Sequence, residues 1–287
     1  MAGWLRRHRG LIPYLFLLPG GLWLLVFFVL PMLTMASVAL QEGTLGTGYR
    51  LTFNFGVFPE VLGRYDAQFL RSVVYALAVT ALTLAIGYPM AYTIAFRGGR
   101  YKNVLLLLVI LPFFTSFIIR TISWKFILAD QGFVLGTLKE IGLLDESFRL
   151  LATPVAVISG ITYNYLPFVV LPLYVALEKI DYRLVEAATD LYASRVQAFL
   201  RVTLPLSMSG VFAGSLLAFI PAAGDYINAE LLGGTRETTM IGNVVQTLYL
   251  TNNDYPQASA ISLILMAGLI LGVIAYQRIL RGQELTV

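Results

Sequence analysis

Residues 186–210 read EAATDLYASRVQAFLRVTLPLSMSG, a charged and amphipathic stretch between two long apolar blocks. The blocks, residues 152–177 and 210–228, each have about the 20 residues that a helix needs to cross ~30 Å of hydrocarbon. Most loops between membrane spans are short. A polar segment of this size therefore indicates a surface that contacts something outside the bilayer.

The chain as a whole is strongly apolar, since 58% of its 287 residues are hydrophobic and 13% are charged. Soluble proteins have roughly 25% charged residues. We therefore predict an all-α membrane protein, a single transmembrane domain over residues 1–287 with six spans. The predicted spans cover residues 14–40, 72–96, 103–119, 152–177, 210–228 and 258–276. The first is too long for the apolar core of a cleaved signal peptide, so we expect it to be retained.

Basic residues predict the orientation, because Lys and Arg favour the cytoplasmic side of a membrane. With both termini in the cytoplasm, the inner segments hold 12 of the 20 Lys and Arg and a net charge of +7, against −3 outside. The densest basic clusters agree; they contain Arg6, Arg7 and Arg9, and Arg97, Arg100 and Lys102. Residues 186–210 then lie in the cytoplasm.

The region 181–204 has the pattern of a helix, a turn and a second helix. Asp181 is a suitable N-cap for the first helix. Ser194 and Gln197 form a capping-box pattern at the start of the second, which must end or kink at Pro205. The apolar face of the first helix follows i, i+3, i+4, i+7 spacing and consists of Leu184, Ala187, Ala188 and Leu191.

Two interpretations fit this region. A helix that rests on lipid normally carries bulky apolar residues and a polar face rich in Lys and Arg. The first helix instead has two alanines on its apolar face, and Glu186 and Asp190 lie off that face. A small face suits close packing in a protein groove, which favours docking to a cytoplasmic partner.

The same region is similar to the EAA motif of ABC importer permeases, which reads E-A-A, three residues, G, nine residues, I-x-L-P. The matching residues are Glu186, Ala187, Ala188, Val202, Leu204 and Pro205. Tyr192 stands where the family usually has glycine. Glycine adopts positive φ without cost and tyrosine does not, so the turn either has another shape or is strained.

From about residue 70 onward the chain resembles the permeases of spermidine/putrescine importers. The stretches that carry this resemblance are GYPMAY, LPFFTSFIIR, YLPFVVLPLY, LEKID, EAATDL, LPLSMSG and LLGGTRETTMIGNVV. The amino-terminal RRHRGLIPYLFLLPG suits a sugar-importer permease about as well.

The resemblance implies a multi-pass protein of the bacterial inner membrane with several partners. These are a second permease, two copies of an ATPase subunit and an extracytoplasmic substrate-binding protein. It also implies that the first helix docks on the ATPase and transmits its closure. The coupling residues would be Glu186, Ala187, Ala188, Asp190 and Tyr192.

Motifs of enzymes are missing from the sequence. It contains no cysteine and a single histidine, His8, in the basic amino-terminal arm. It has no G-x-x-x-x-G-K-[ST] phosphate loop, no H-E-x-x-H and no G-x-S-x-G. We therefore expect no catalytic residue, metal, cofactor or nucleic acid on this chain, and expect ATP and Mg²⁺ on the partner ATPase.

Asp225 is the sharpest candidate for the translocation path. It lies 15 residues beyond Gly210, about 22 Å along a helix, in the outer part of the bilayer. A carboxylate there is costly unless it faces a cavity or a partner, and Pro221 and Gly224 break the helix just before it. Either Asp225 lines a cavity shared with the second permease, or it reaches the outer interface.

Further candidates for the translocation path are one carboxylate, one amide and four aromatic side chains. Aromatic rings suit either an ammonium ion or a membrane interface. These candidates are Glu230, Tyr226, Tyr163, Asn164, Tyr165 and Trp124.

The resemblance implies an importer permease for polyamines, and a net-negative outer surface suits such a cationic substrate. A permease for another small solute, such as a sugar, is one alternative. A proton- or sodium-coupled secondary transporter is another, but it should show inverted repeats and ionisable residues at the midplane of several spans, and neither is evident. A membrane-embedded enzyme is disfavoured.

Overall fold

The computed structural model describes residues 12–284, with side chains described for residues 16–278. The sequence predictions for the arm at residues 6–9 lie outside this range. The described chain divides into two compact units. One runs up to Arg64 and includes Thr247–Leu271, and the other holds Tyr65–Gln246 and the residues from Gly272 onward. That the chain forms a single transmembrane domain stays a prediction.

The first unit begins with one continuous helical run and then a small hairpin. The run consists of α1 (Ile12–Leu24), a π-helical turn (Leu25–Val29) and α2 (Leu30–Ala39). The hairpin and the helix after it are β1 (Gln41–Thr44), β2 (Gly48–Leu51) and α3 (Val57–Arg64). The strands are antiparallel, with Gln41 opposite Leu51. The run matches the predicted first span, and its apolar side chains from Phe16 to Leu30 are exposed on all sides, as expected of a helix in lipid.

The second unit is helical throughout. Its helices are α4 (Asp66–Arg97), α5 (Lys102–Ile110), α6 (Phe117–Ile127), α7 (Phe133–Glu140), α8 (Pro154–Glu178), α9 (Arg183–Asp190), α10 (Arg195–Ala198), α11 (Leu204–Leu206), α12 (Met208–Ala223) and α13 (Ile241–Gln246). The long helix α14 (Tyr255–Glu284) contributes residues to both units.

The core of the second unit lies where α4, α8 and α12 pack together. Its centre consists of Ala91, Ile94, Val169, Val170, Leu173, Tyr174, Leu177 and Ala218. Small residues let the helices approach closely, as is usual within membranes. A methyl group added to Gly210 would lie 2.6 Å from the Cβ of Ala176.

Four helices are long and apolar enough to cross a membrane. They are Phe16–Ala39, Asp66–Arg97, Pro154–Glu178 and Tyr255–Arg278, which match the first, second, fourth and sixth predicted spans. Two further apolar pairs are bent, Gly99–Phe114 with Phe117–Ile127 by 94° and Arg195–Leu206 with Met208–Ala223 by 67°. The described residues thus hold four spans, or up to six if each bent pair is one span.

The predicted third span, residues 103–119, is wrong as a single helix. α5 ends at Ile110, a 3₁₀ turn follows, and the chain bends by 94° before α6. Thr115 and Ser116 are extended, with ψ of 150° and 135°. Pro112 has no amide hydrogen to continue the helical ladder, so the regular helix stops beside it. Hydropathy does not register such a bend, because both arms are apolar.

The predicted fifth span, residues 210–228, is not one continuous helix either. α12 stops at Ala223, and Gly224 occupies its C-cap position. A π-helical turn at Ala229–Gly233 follows after a short non-helical break. The helix break that Pro221 and Gly224 predict is therefore confirmed, and Asp225 lies inside it.

Candidate functional site

The coupling segment, residues 181–204, is a helix–turn–helix as predicted. α9 begins at Arg183, with Tyr182 in the N-cap position. Asp181 still supplies the acceptor, since its Oδ1 accepts the amide of Arg183 at 3.0 Å. The capping box is confirmed: Ser194 Oγ accepts the amide of Gln197 at 3.3 Å, and Gln197 Oε1 accepts the amide of Ser194 at 2.9 Å.

The turn between the two helices has left-handed geometry at Tyr192, whose φ is +62°. The amide of Ala193 donates to the carbonyl of Ala188 at 3.1 Å, and the amide of Tyr192 donates to the carbonyl of Thr189 at 3.0 Å. This pair of hydrogen bonds is the Schellman helix end, in which the left-handed position is usually glycine. The turn therefore has the shape that a glycine favours, and Tyr192 bears its strain.

The surface of the coupling segment is uncovered. Leu191 is 81% exposed and Tyr192 99% exposed. The other exposed apolar side chains on this surface are Leu184, Val196 and Leu200. Glu186 and Asp190 are exposed beside them, and neither makes a salt bridge within the part of the chain that the structure describes. An apolar surface flanked by these two carboxylates is suited to a groove with basic residues along its rim.

Asp225 is 5% exposed and is held inside its own chain. Its Oδ1 accepts the amide of Asn228 at 2.9 Å. Its Oδ2 accepts the side-chain amide of Asn228 at 2.7 Å and the hydroxyl of Tyr165 at 3.4 Å. The carboxylate caps the turn that begins after the helix break.

Asn164 extends this arrangement into a polar cluster, formed by Thr121, Asn164, Tyr165, Asp225 and Asn228. The side chain of Asn164 is 1% exposed, and its Nδ2 donates to Asn228 Oδ1 at 3.1 Å and to Thr121 Oγ1 at 3.3 Å. Its Oδ1 has no hydrogen-bond partner among the described residues. The polar cluster joins α6, α8 and the segment after α12.

The sequence predictions named Asp225, Asn164 and Tyr165 and missed two members of the polar cluster, Asn228 and Thr121. Asn228 had a usable signal, because an Asp followed three residues later by an amide donor after a helix break is the pattern of a side-chain cap. Thr121 had none, since its position depends on how α6 and α8 pack.

The remaining candidates lie outside the hydrogen bonds of the polar cluster. Glu230 is exposed, and its Oε2 accepts the side-chain amide of Asn243 at 3.2 Å. The same amide donates to the carbonyl of Tyr226 at 2.9 Å, so Asn243 brings Glu230 and Tyr226 together. Tyr163 instead packs against Trp124, with ring centroids 5.3 Å apart. That these residues contact substrate stays a prediction.

Comparison with known proteins adds a family and a fold. The family described as binding-protein-dependent transport system inner membrane component matches residues 83–284. The spermidine/putrescine transport system permease protein PotB of Haemophilus influenzae is 37% identical, over 89% of this chain and 90% of that protein. The PotB protein of Escherichia coli K12 is 36% identical, over 87% of this chain and 91% of its own.

Among solved structures, this chain is similar to one of a bacterial ABC transporter involved in the import of the polysaccharide alginate. The TM-score is 0.72 at 22% sequence identity, and the match covers 98% of this chain and 99% of the other. At this identity the likeness concerns the fold alone.

Proposed function

Because the chain belongs to the family of binding-protein-dependent transport system inner membrane components, we propose that it is the permease subunit of an ATP-driven importer for polyamines. The observation that carries the proposal is the coupling segment, whose helices, cap and turn match the EAA pattern and whose surface is uncovered. The names of two relatives at 36–37% identity support polyamines as the substrate class.

The proposed assembly contains this chain, a second permease, two copies of an ATPase subunit that hold ATP and Mg²⁺, and an extracytoplasmic binding protein. It lies in the bacterial inner membrane. Each bent helix pair counts as one span in this arrangement, which gives six spans, and the basic clusters favour both termini in the cytoplasm.

In the proposed mechanism the coupling segment moves as a lever between the ATPase and the spans. Glu186 pairs with a basic group in the ATPase groove, and Leu191 and Tyr192 fill that groove. The segment continues directly from α8 and leads into α12, which pack tightly against each other at Gly210 and Ala176. A shift of the segment therefore reorients both helices.

The proposed translocation path includes Asp225, Asn164, Glu230, Tyr226 and Tyr163. Glu230 and Tyr226 are exposed neighbours that offer a carboxylate and an aromatic face to an ammonium group. Asn164 has an acceptor without a partner among the described residues, and the buried carboxyl group of Asp225 bonds the same Asn228 side chain. A negative charge in a membrane path offsets part of the desolvation of a polycation.

The proposal is tested by reconstitution of the complex with its ATPase and binding protein in proteoliposomes. We expect uptake of radiolabelled spermidine or putrescine that requires ATP and survives collapse of proton and sodium gradients. Gradient-driven uptake without ATP would identify a secondary transporter. ATP-dependent uptake of a sugar, with none of a polyamine, would overturn the substrate class.

A further inference from the structure

One face of α4 carries an aromatic stripe, formed by Tyr88, Tyr92 and Phe96. The three residues are four apart, so they lie one above the other on the same side of the helix. All three side chains are half-buried. The rings of Tyr92 and Phe96 also pack on each other, edge to face, with centroids 4.9 Å apart.

Tyr88 and Tyr92, the amino-terminal part of the aromatic stripe, contact the end of the coupling segment. The ring of Tyr88 meets the ring of Phe199 edge to face at 5.4 Å, and Tyr92 meets the same ring at 6.2 Å. The hydroxyl of Tyr88 lies 2.7 Å from the hydroxyl of Ser207, which is fully buried. Ser207 marks the bend of 67° between α11 and α12.

Phe96, the carboxy-terminal part of the aromatic stripe, contacts the start of the coupling segment. Phe96 packs against Tyr182, with ring centroids 5.4 Å apart, and Tyr182 immediately precedes α9. The aromatic stripe therefore contacts the segment on both sides of its uncovered surface.

The local backbone at these contacts is irregular. Phe199 begins a π-helical turn that runs to Thr203, and the hydroxyl of Thr203 is buried without a hydrogen-bond partner in the described residues. Pro89 lies inside α4 next to Tyr88 and cannot donate to the helical ladder. Irregular turns of this kind are held by their neighbours rather than by their own ladder.

Other contacts of α4 belong to the core, and the aromatic stripe also packs against that core. Ala91 and Ile94 are buried in the same cluster as Val169 and Leu173 of α8. A methyl group added to Gly87 would lie 3.2 Å from Val169. α4 thus packs against α8, α12 and the coupling segment, although it is not adjacent to the segment in sequence.

We propose that the aromatic stripe is the positioning element that makes α4 move together with the coupling segment. The inference rests on the proposed function, since a coupling segment has a role only if an ATPase moves it. The segment is joined by the chain to α8 and α12 alone. The aromatic stripe connects the segment to a third helix, α4. Closure of the ATPase therefore also moves the part of the core that α4 forms. Tyr88 and Phe199 are positioning residues in this scheme and touch neither ATP nor solute.

The first test changes the Tyr88–Ser207 hydrogen bond in the reconstituted complex. We expect Tyr88→Phe and Ser207→Ala each to lower the number of polyamine molecules imported per ATP hydrolysed, by about three- to tenfold, the range for one hydrogen bond. The double variant should be no worse than either single variant, because both remove the same bond. Phe199→Leu, which keeps the bond and removes the ring, should lower the same ratio.

The matched control is Tyr276→Phe, which removes the same kind of bond elsewhere. The hydroxyl of Tyr276 lies 3.0 Å from that of Ser215, and its ring stacks on Phe212. We expect this variant to keep the wild-type ratio of import to ATP hydrolysis. An unchanged ratio in Tyr88→Phe and Ser207→Ala, or an equal loss in Tyr276→Phe, would overturn the proposal.

The second test does not depend on the solute. The chain contains no cysteine, so spin labels can be placed at Ile86→Cys on α4 and Arg201→Cys in the coupling segment, both exposed positions. We expect one narrow distance distribution that stays the same with and without ATP, and a broadened one when Tyr88→Phe or Phe199→Leu is added. A wild-type distance that changes with ATP would show that the segment slides over α4. Absence of polyamine uptake with an unchanged distance would contradict the substrate class alone.

Discussion

Two interpretations made from the sequence depend on single residues, Tyr192 and Asp225. At Tyr192 the sequence leaves two possibilities, a turn of another shape or a strained one, and the structure shows the strained one with φ of +62°. The side chain itself is 99% exposed, so packing does not force this conformation. The hydrogen bonds of the helix end hold it there.

We expect Tyr192→Gly to leave the free energy of unfolding unchanged or to raise it slightly. Relief of left-handed strain is worth roughly 1–3 kcal/mol, and the extra chain entropy of glycine offsets part of it. Thermal unfolding of the purified complex measures the change. Leu191→Gly is the control, since Leu191 is also exposed but has φ of −85°, and it should destabilise. A loss of stability in Tyr192→Gly as large as that in Leu191→Gly contradicts the strain.

Asp225 is the second of these residues, and the structure shows which side chains bind its carboxylate. We expect Asp225→Asn to lower the free energy of unfolding by about 1–3 kcal/mol, because Asn228 and Tyr165 lose an acceptor that an amide only partly replaces. We also expect lower uptake of a polyamine, with complex assembly and basal ATP hydrolysis retained. Asp225→Glu should keep more uptake than the Asn variant.

Tyr165→Phe separates the two effects of Asp225, since it removes one hydrogen bond and keeps the charge. We expect it to lower stability less and to leave polyamine uptake near the wild-type level. Full polyamine uptake by Asp225→Asn would show that the charge has no part in the path.

At the scale of elements, the coupling segment was predictable because its signals are local. Capping residues, the spacing of small apolar residues and the helix–turn–helix lengths all lie within a short stretch of sequence. The bend after α5 was not predictable, because the hydropathy of an apolar segment is the same whether it is straight or bent by 94°.

We expect Glu186→Lys to leave the permease folded and to uncouple it from the ATPase, because the charge on the docking face is reversed. Uptake and substrate-stimulated ATP hydrolysis of the assembled complex should both fall. Glu146→Lys is the matched control, since it reverses an exposed carboxylate outside the coupling segment. Wild-type values for both activities in Glu186→Lys would rule out docking through this residue.

For the whole molecule, the close packing of α8 on α12 is the contact through which the proposed mechanism passes motion from the coupling segment into the membrane. Such packing needs small residues at the contact, because lipid supplies no hydrophobic force to press helices together. Gly210 meets this need most clearly, with backbone of Pro172 and the side chain of Ala176 beside it.

We expect Gly210→Ala to lower the free energy of unfolding by about 1–3 kcal/mol, the usual cost of overpacking. The added methyl would lie 2.6 Å from the Cβ of Ala176 and 2.8 Å from the carbonyl oxygen of Pro172. Gly268→Ala in α14 is the control, because nothing lies within 4 Å of its added methyl, and it should be neutral or stabilising. The shift in thermal unfolding midpoint measures both, and equal shifts would contradict the close contact.

The sequence by itself determined the membrane class, the approximate place of four straight spans, the capped helix–turn–helix at residues 181–204 and the helix break before Asp225. Each of these depends on residues that are close together in the chain, such as Ser194 with Gln197, or on the hydropathy of one continuous block. Only the tertiary structure decided that Tyr165 of α8 donates to Asp225, and that Tyr88 of α4 reaches Ser207. Those arrangements depend on the packing of separate helices that are distant in sequence, which local periodicity does not specify.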